Sequence, residues 1–176
     1  HLYIFIGLKG KSKDLGLKSS NIWHLPIDEY DFNYTKLTKE MAKDPLKCKP
    51  FMFISSPSAK DPEFHDRYPD KSTVIIITEA SKEWFAEYSN LNRAQRKGNK
   101  GNDYKDLKEQ LAQKFIEEGL YKFFPKTKGK IEYVDVGTPL SAKFFLGSVD
   151  GESYGLEHSK KRYTNPKVQQ FMRPRV

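Results

Sequence analysis

A single cysteine, Cys48, occurs among 176 residues. It rules out an internal disulfide framework and any multi-cysteine metal site. The four histidines, His1, His24, His65 and His158, stand far apart and show no ligand spacing, so no metal is expected. No apolar run approaches the roughly 18 residues that a membrane-spanning helix needs, and no signal peptide is visible. The dinucleotide fingerprint Gly-x-Gly-x-x-Gly is missing. Gly7-Leu8-Lys9-Gly10 follows a strand, but its spacing is wrong for cradling a pyrophosphate. Gly98-Asn99-Lys100-Gly101 lacks the Lys-Ser/Thr that a phosphate loop requires. His-Glu-x-x-His does not occur.

Acidic residues are absent from two stretches. Arg93, Arg96, Lys97 and Lys100 form one run, and Lys160, Lys161, Arg162, Lys167, Arg173 and Arg175 follow the last acid, Glu157. These ten cations exceed the net charge of +8, so the rest of the chain is slightly acidic. Such patches suit phosphates or an anionic membrane surface, or they are solvated loops. Nucleic-acid binding would need exposed aromatics interleaved with the cations. Only Tyr163 lies near the patches Arg93–Lys100 and Lys160–Arg162, and no nucleic-acid partner is expected. Cys48 sits between Lys47 and Lys49, which favours a lowered thiol pKa if the residue is more than an incidental thiol.

What the chain has in plenty is aromatic residues, 14% with twelve Phe and ten Tyr, in a composition that is 37% hydrophobic and 31% charged. This is a globular balance, about one domain in length. The aromatics fit either an aromatic-rich core or a pocket for an apolar ligand.

Leu2–Leu8 reads as a buried strand, Asn21–Leu25 as a weaker one and Phe51–Ser55 as a third. Ser72–Thr78 is the strongest strand, and its unalternating β-branched run predicts that both faces are covered. Helical spacing covers Asp31–Lys43. Ser81 is placed to cap a short helix through Trp84, Phe85 and Tyr88. Asn90–Asn102 reads as a linker-like loop. From Asn102 or Asp103, the positions Leu107, Leu111, Phe115, Leu120 and Phe124 mark the best helix, closed by Pro125. Ile131–Val136 alternates as a strand with one wet face. The order lacks a βαβ rhythm. It predicts an α+β fold with a mixed, largely antiparallel sheet and helices on one side.

The stretch from Val136 to His158 is unusually rich in glycine, aromatics and small polar residues. With it go Phe5-Ile6-Gly7-Leu8-Lys9-Gly10, then Ser56-Pro57-Ser58-Ala59-Lys60-Asp61-Pro62 and Arg67-Tyr68-Pro69. Lys71-Ser72-Thr73, Glu83-Trp84-Phe85, Asp103-Tyr104, Phe124-Pro125 and Gly137-Thr138-Pro139-Leu140 follow, and Tyr154-Gly155-x-x-His158 and Arg173-Pro174-Arg175 complete the series. In joint order and spacing these motifs resemble the C-terminal half of the retinol saturase group of flavoproteins, relatives of the carotenoid isomerases and phytoene desaturases. One departure stands out. Where the family commonly has Pro-Arg-Gly, this chain has Val149-Asp150-Gly151, an anion in place of a cation.

The resemblance implies an FAD-dependent oxidoreductase that saturates or isomerises a double bond of a retinoid or carotenoid polyene, with NAD or NADP as an electron source. It implies that residues 1–160 form the substrate-binding domain of a two-domain flavoprotein. Residues 161–176 would be a basic segment leading toward a C-terminal FAD-binding part. The expected partners are the polyene, the FAD-holding part of the same protein and a membrane surface, that of the endoplasmic reticulum if the source is an animal. The chain opens on His1 and enters a strand at once, which fits an internal stretch of a longer enzyme. That stretch alone is expected to be inactive and to hold no FAD tightly. Tyr154 and His158 are the catalytic candidates. Phe144, Phe145, Pro139 and Trp84 are the substrate-binding candidates, and Gly155 and Arg173 the cofactor-binding ones. A backbone-bonded structural role suits His158 equally well. A non-catalytic module that binds an apolar ligand or a membrane surface is the alternative reading.

Overall fold

Alternation, not uniform burial, organises the central strands. A computed structural model describes residues 1–25, 44–49, 51–97, 102–152 and 160–167. Five strands form one sheet: β1 Leu2–Lys9, β2 Ile22–His24, β3 Met52–Ser55, β4 Lys71–Thr78 and β5 Ile131–Gly137. The order is β2-β3-β4-β1-β5, and every neighbouring pair is antiparallel. The α+β class and the antiparallel sheet expected from the sequence are present. The helix expected over Asp31–Lys43 lies outside the described residues.

Leu2, Ile4, Ile6 and Leu8 of β1, Val74 and Ile76 of β4, and Met52 and Ile54 of β3 are all buried on one face. Residues two apart share a face, so β4 alternates buried and half-buried along its length. The apolar run Val74–Ile77 thus does not mean two covered faces. β-branched residues are chosen for the pleat on both sides, and among the described residues only one side is packed under helices.

The helices are α1 Phe64–Arg67, α2 Arg93–Lys97, α3 Asn102–Phe115, α4 Tyr121–Phe123, α5 Pro139–Leu146 and α6 Lys160–Thr164. The cover on the closed face comes chiefly from α3 and the π-helical segment Ile116–Leu120 that continues it. Leu111, Phe115, Ile116 and Leu120 carry the helical stripe and are almost fully buried. Each such side chain is worth about 1.5–3 kcal/mol relative to exposure. Gly119 lets this segment approach the sheet. A Cβ there would lie 3.2 Å from the Ile54 Cδ1 and the Met52 Sδ.

Three local expectations are corrected. Ser81 does precede a 3₁₀ helix, Lys82–Tyr88, but its hydroxyl makes no cap bond and instead donates to the Glu83 carboxylate. The Asn90–Asn102 stretch holds a helical turn, α2, opened by reciprocal Asn92–Gln95 hydrogen bonds of 2.9 Å. Cys48 is buried, and desolvation pushes its thiol up to about 11, outweighing the opposing pull of Lys114.

The motifs that carried the resemblance are largely architectural. Ser12 Oγ lies 3.0 Å from Ser58 Oγ and 3.1 Å from Ser72 Oγ. Ser72 Oγ donates to the Gly10 carbonyl at 2.7 Å, and Thr73 N donates to Ser58 Oγ at 2.9 Å. Ser56 Oγ donates to the Thr73 carbonyl at 2.9 Å. All four serines are buried. They clasp the loop after β1, the loop after β3 and the start of β4. A buried hydroxyl must find partners, and these find each other.

Candidate functional site

The sheet's other face has no helix over it among the described residues. One row of its side chains is nevertheless apolar. The register aligns Trp23, Phe53, Ile77, Tyr3 and Gly137 in one row across all five strands. At about 4.8 Å between strands the row is roughly 19 Å long. Ile75, Phe5 and Asp135 stand beside it in the next row. Trp23 meets Phe53 edge-on with ring centroids 4.9 Å apart, and Tyr3 lies parallel to Phe5 at 6.4 Å. Phe53, Ile75, Ile77 and Tyr3 are half-buried, whereas Trp23 remains 66% exposed and Phe5 45%. Monomeric proteins seldom leave such a contiguous apolar surface open without a use for it.

At the β1–β5 end this face runs into a cleft of about 820 Å³, within the range of ligand pockets. Tyr3 and Phe5 form its floor, α2 and the start of α3 one wall, and α5 the other. The position of α5 is set by its first turn. Thr138 caps it, accepting from the Ser141 N–H while the Ser141 hydroxyl accepts from the Thr138 N–H, and Pro139 occupies the first helical positions. The Tyr104 hydroxyl, 2.8 Å from Thr138 Oγ1 and buried, ties this cap to α3. Gly147, at φ 68°, closes the helix in the left-handed conformation. Helical periodicity is absent here. The local signal was the Thr-Pro-x-Ser cap, embedded in a glycine-rich stretch.

Of the substrate-binding candidates, Phe144 and Phe145 line the cleft. Trp84 is buried in the core beside Phe85, with ring centroids 6.3 Å apart. Pro139 is buried against Gly151, where an added Cβ would lie 2.5 Å from the Pro139 carbonyl oxygen. Gly151 also has φ 80°, so both geometry and space demand glycine. The catalytic candidates Tyr154 and His158 and the cofactor candidates Gly155 and Arg173 lie outside the described residues. The reasoning from sequence missed Tyr3, Phe5, Phe53 and Ile77. Strand alternation paired with the register was the signal that would have found them.

The departure at Asp150 has a local partner. Its carboxylate lies 3.0 Å from Lys82 Nζ, and this contact raises the lysine's pKa. Glu152 accepts from the backbone N–H groups of Val149 and Asp150 at 3.0 and 2.8 Å. These bonds, with that of Asp150 foremost, hold its carboxyl below the usual range.

The described residues do not form a dinucleotide grip. Gly7 is paired inside β1, and a Cβ on it would lie 3.3 Å from the Tyr133 Cβ. Gly10, at φ 116°, packs against Leu15. Neither offers a row of free N–H groups to a pyrophosphate. No helix among the described residues is long and apolar enough to cross a membrane, and no cluster among them could hold a metal ion.

The chain is 39% identical over 166 residues to an all-trans-retinol 13,14-reductase of Danio rerio, covering 93% of this chain and 26% of that protein. It is 34% identical over 173 residues to the all-trans-retinol 13,14-reductase of Macaca fascicularis, covering 97% of this chain and 27% of that one. Over nearly its whole length the chain is similar to these retinol 13,14-reductases. It spans about a quarter of the length of these curated relatives. A Danio rerio protein named an inactive all-trans-retinol 13,14-reductase is 29% identical over 91% of the chain, so likeness over this stretch does not by itself carry activity. No family model matches the chain, and no solved structure matches it.

Proposed function

We propose that this chain is the substrate-facing part of a retinol saturase-like oxidoreductase, with the open sheet face as one wall of the site that receives a retinoid or related polyene. The observation that carries this reading is the row Trp23–Phe53–Ile77–Tyr3–Gly137. It is apolar, roughly 19 Å long by strand spacing and not covered by a helix among the described residues. An extended conjugated chain fits such a surface by dispersion and ring stacking. The names of the relatives support retinol as the class of molecule reduced. The redox group would be FAD, gripped by residues other than the described ones, which supply no grip of their own.

In this reading the chain's residues bind and orient the polyene and keep water from it. Tyr154 orients substrate or cofactor, and His158 supports it by a hydrogen bond or proton exchange. The test is made on the full-length enzyme. Phe53→Ser with Ile77→Ser should raise the KM for retinol about tenfold or more, since two buried apolar contacts are worth roughly 1.5–3 kcal/mol each when fully made. Tyr154→Phe and His158→Ala should instead lower kcat. A retinoid photolabel that marks residues away from the open face, with unchanged KM in the double variant, would overturn the reading.

A further inference from the structure

Along the row Trp23–Phe53–Ile77–Tyr3–Gly137 the side chains run out at one position. Gly137 pairs with Tyr3 at the end of β5 and lines the cleft. A Cβ placed on it would stand on the open face, 3.6 Å from Tyr3 Cβ, 3.7 Å from Tyr3 Cδ2 and 3.8 Å from Phe5 Cε2. These are ordinary van der Waals separations. Its φ is not positive, so other residues can adopt its backbone conformation. Every other described glycine has a positive φ or a neighbour that would lie 3.3 Å or less from an added Cβ. Glycine weakens a strand. Where the fold does not require it, it marks a close approach by a ligand or another backbone.

The two ends of the row differ in chemistry. At the β2 end three rings meet: the Trp23 centroid lies 4.9 Å from that of Phe53 and 5.3 Å from that of Phe51. At the β5 end the row opens past Gly137 into the cleft, whose lining includes Arg96, Lys105 and Ser141. A retinoid alcohol carries an apolar ring at one end and a single hydroxyl at the other. A hydroxyl taken out of water needs a hydrogen-bond partner. Polar partners stand in the cleft, and rings stand at the β2 end.

We infer that Gly137 is a specificity-determining residue of the polyene site, the gap through which the polar end of the polyene passes from the sheet into the cleft while its ring end lies against Trp23 and Phe53. This rests on the reading of the open face as the polyene's wall, and it fixes the direction in which the polyene lies. A small side chain at position 137 would fill the passage without straining the fold. Its effect therefore falls on binding and not on folding.

The test is made on the full-length enzyme. Gly137→Ala should leave thermal unfolding unchanged or slightly later, since alanine loses less freedom on folding than glycine. It should nevertheless raise the KM for retinol about tenfold, the scale of one misplaced methyl group in a pocket. Gly137→Val should raise it further. Earlier unfolding of Gly137→Ala with an unchanged KM would overturn the inference, because another part of the polypeptide would then be packed on Gly137. Two retinoid photolabels read the direction. A diazirine on the ring should mark Trp23 or Phe53, and one at the polar end should mark Tyr3 or Ser141. The reverse pattern would overturn the inference. Phe53→Ser with Ile77→Ser separates this inference from the reading beneath it. If that pair raises KM and Gly137→Ala does not, the face binds the polyene and only the role of Gly137 falls. If neither raises it, the wall itself is misassigned and the inference falls with it.

Discussion

The two faces of the sheet use the same residue types to opposite ends. On the closed face, Leu2, Ile4, Ile6, Ile54, Val74 and Ile76 vanish under α3 and the π-helical segment. On the open face, Trp23, Phe53, Ile77, Tyr3 and Phe5 are as apolar but stay half-buried or exposed. Hydrophobicity alone cannot tell these faces apart. Cover can, and it divides residues that hold this domain together from residues that wait for something else.

The largest expected effect breaks the closed face. Phe115 is fully buried, and Phe115→Ala should cost about 3–5 kcal/mol in denaturant unfolding, the transfer loss plus the cavity left behind. Phe53→Ala on the open face should cost about 1 kcal/mol or less, since the ring already meets water. Cys48 gives an internal readout. Its thiol is buried and pushed up to about 11, so thiol reagents near neutral pH should label it mainly through unfolding. Labelling should speed up greatly in the Phe115 variant and little in the Phe53 variant. Equal costs for the two substitutions would erase the distinction between the faces.

A middle-sized effect is expected at the serine clasp, which neither face owns. Removing the Ser58 hydroxyl strips Thr73 N of its acceptor and Ser12 of a partner. Ser58→Ala should therefore cost about 1–3 kcal/mol, the penalty for buried polar groups left unpaired. Ser58→Thr keeps the hydroxyl but adds a methyl at a fully buried site. Stability unchanged in Ser58→Ala would show that the clasp is ornament to the loops it joins.

The clasp also shows what was legible in the sequence and what was not. All five strands, the long helix and the α+β class could be read from periodicity and turn residues, because those depend on local pattern. Ser56, Ser58 and Ser72 could be recognised as motif, and Ser12 not at all; none could be read as a network, because their meeting joins positions up to sixty residues apart. The open face was hidden for a related reason. Val74–Ile77 reads as a run buried on both sides, and only the lack of a second helical layer among the described residues, a tertiary fact, leaves Ile75 and Ile77 half-buried. α5 was missed because a capping box at Thr138 and Ser141 can launch a helix that has no amphipathic stripe to announce it. The assigned roles of Tyr154 and His158 rest on resemblance, and Gly151, pinned against Pro139, marks where the described chain turns toward them.

The smallest effect concerns the strand where the two faces are one residue apart. Trp23 pairs with Phe53 on the open face, and His24 pairs with buried Met52 on the closed one. His24 stacks edge-on against Phe123, with centroids 5.2 Å apart. Desolvation, seconded by the charge of Lys122 and opposed by Glu118, lowers its pKa from 6.5. A lowered folded-state pKa means that the unfolded chain takes up its proton first as pH falls. The stability attached to neutral His24 is therefore present above about pH 6.5 and is lost as pH falls through the folded-state value. Solvent reaches much of the ring, so the slope should be shallow. His24→Gln should flatten this part of the stability–pH curve between about pH 5 and 7.5, and Lys122→Gln should shift its midpoint upward. Trp23→Gln, its neighbour on the open face, should leave the curve's shape alone. A pH dependence that moves with Trp23 and ignores His24 would mean that this edge strand faces the opposite way, and the assignment of both faces would fail with it.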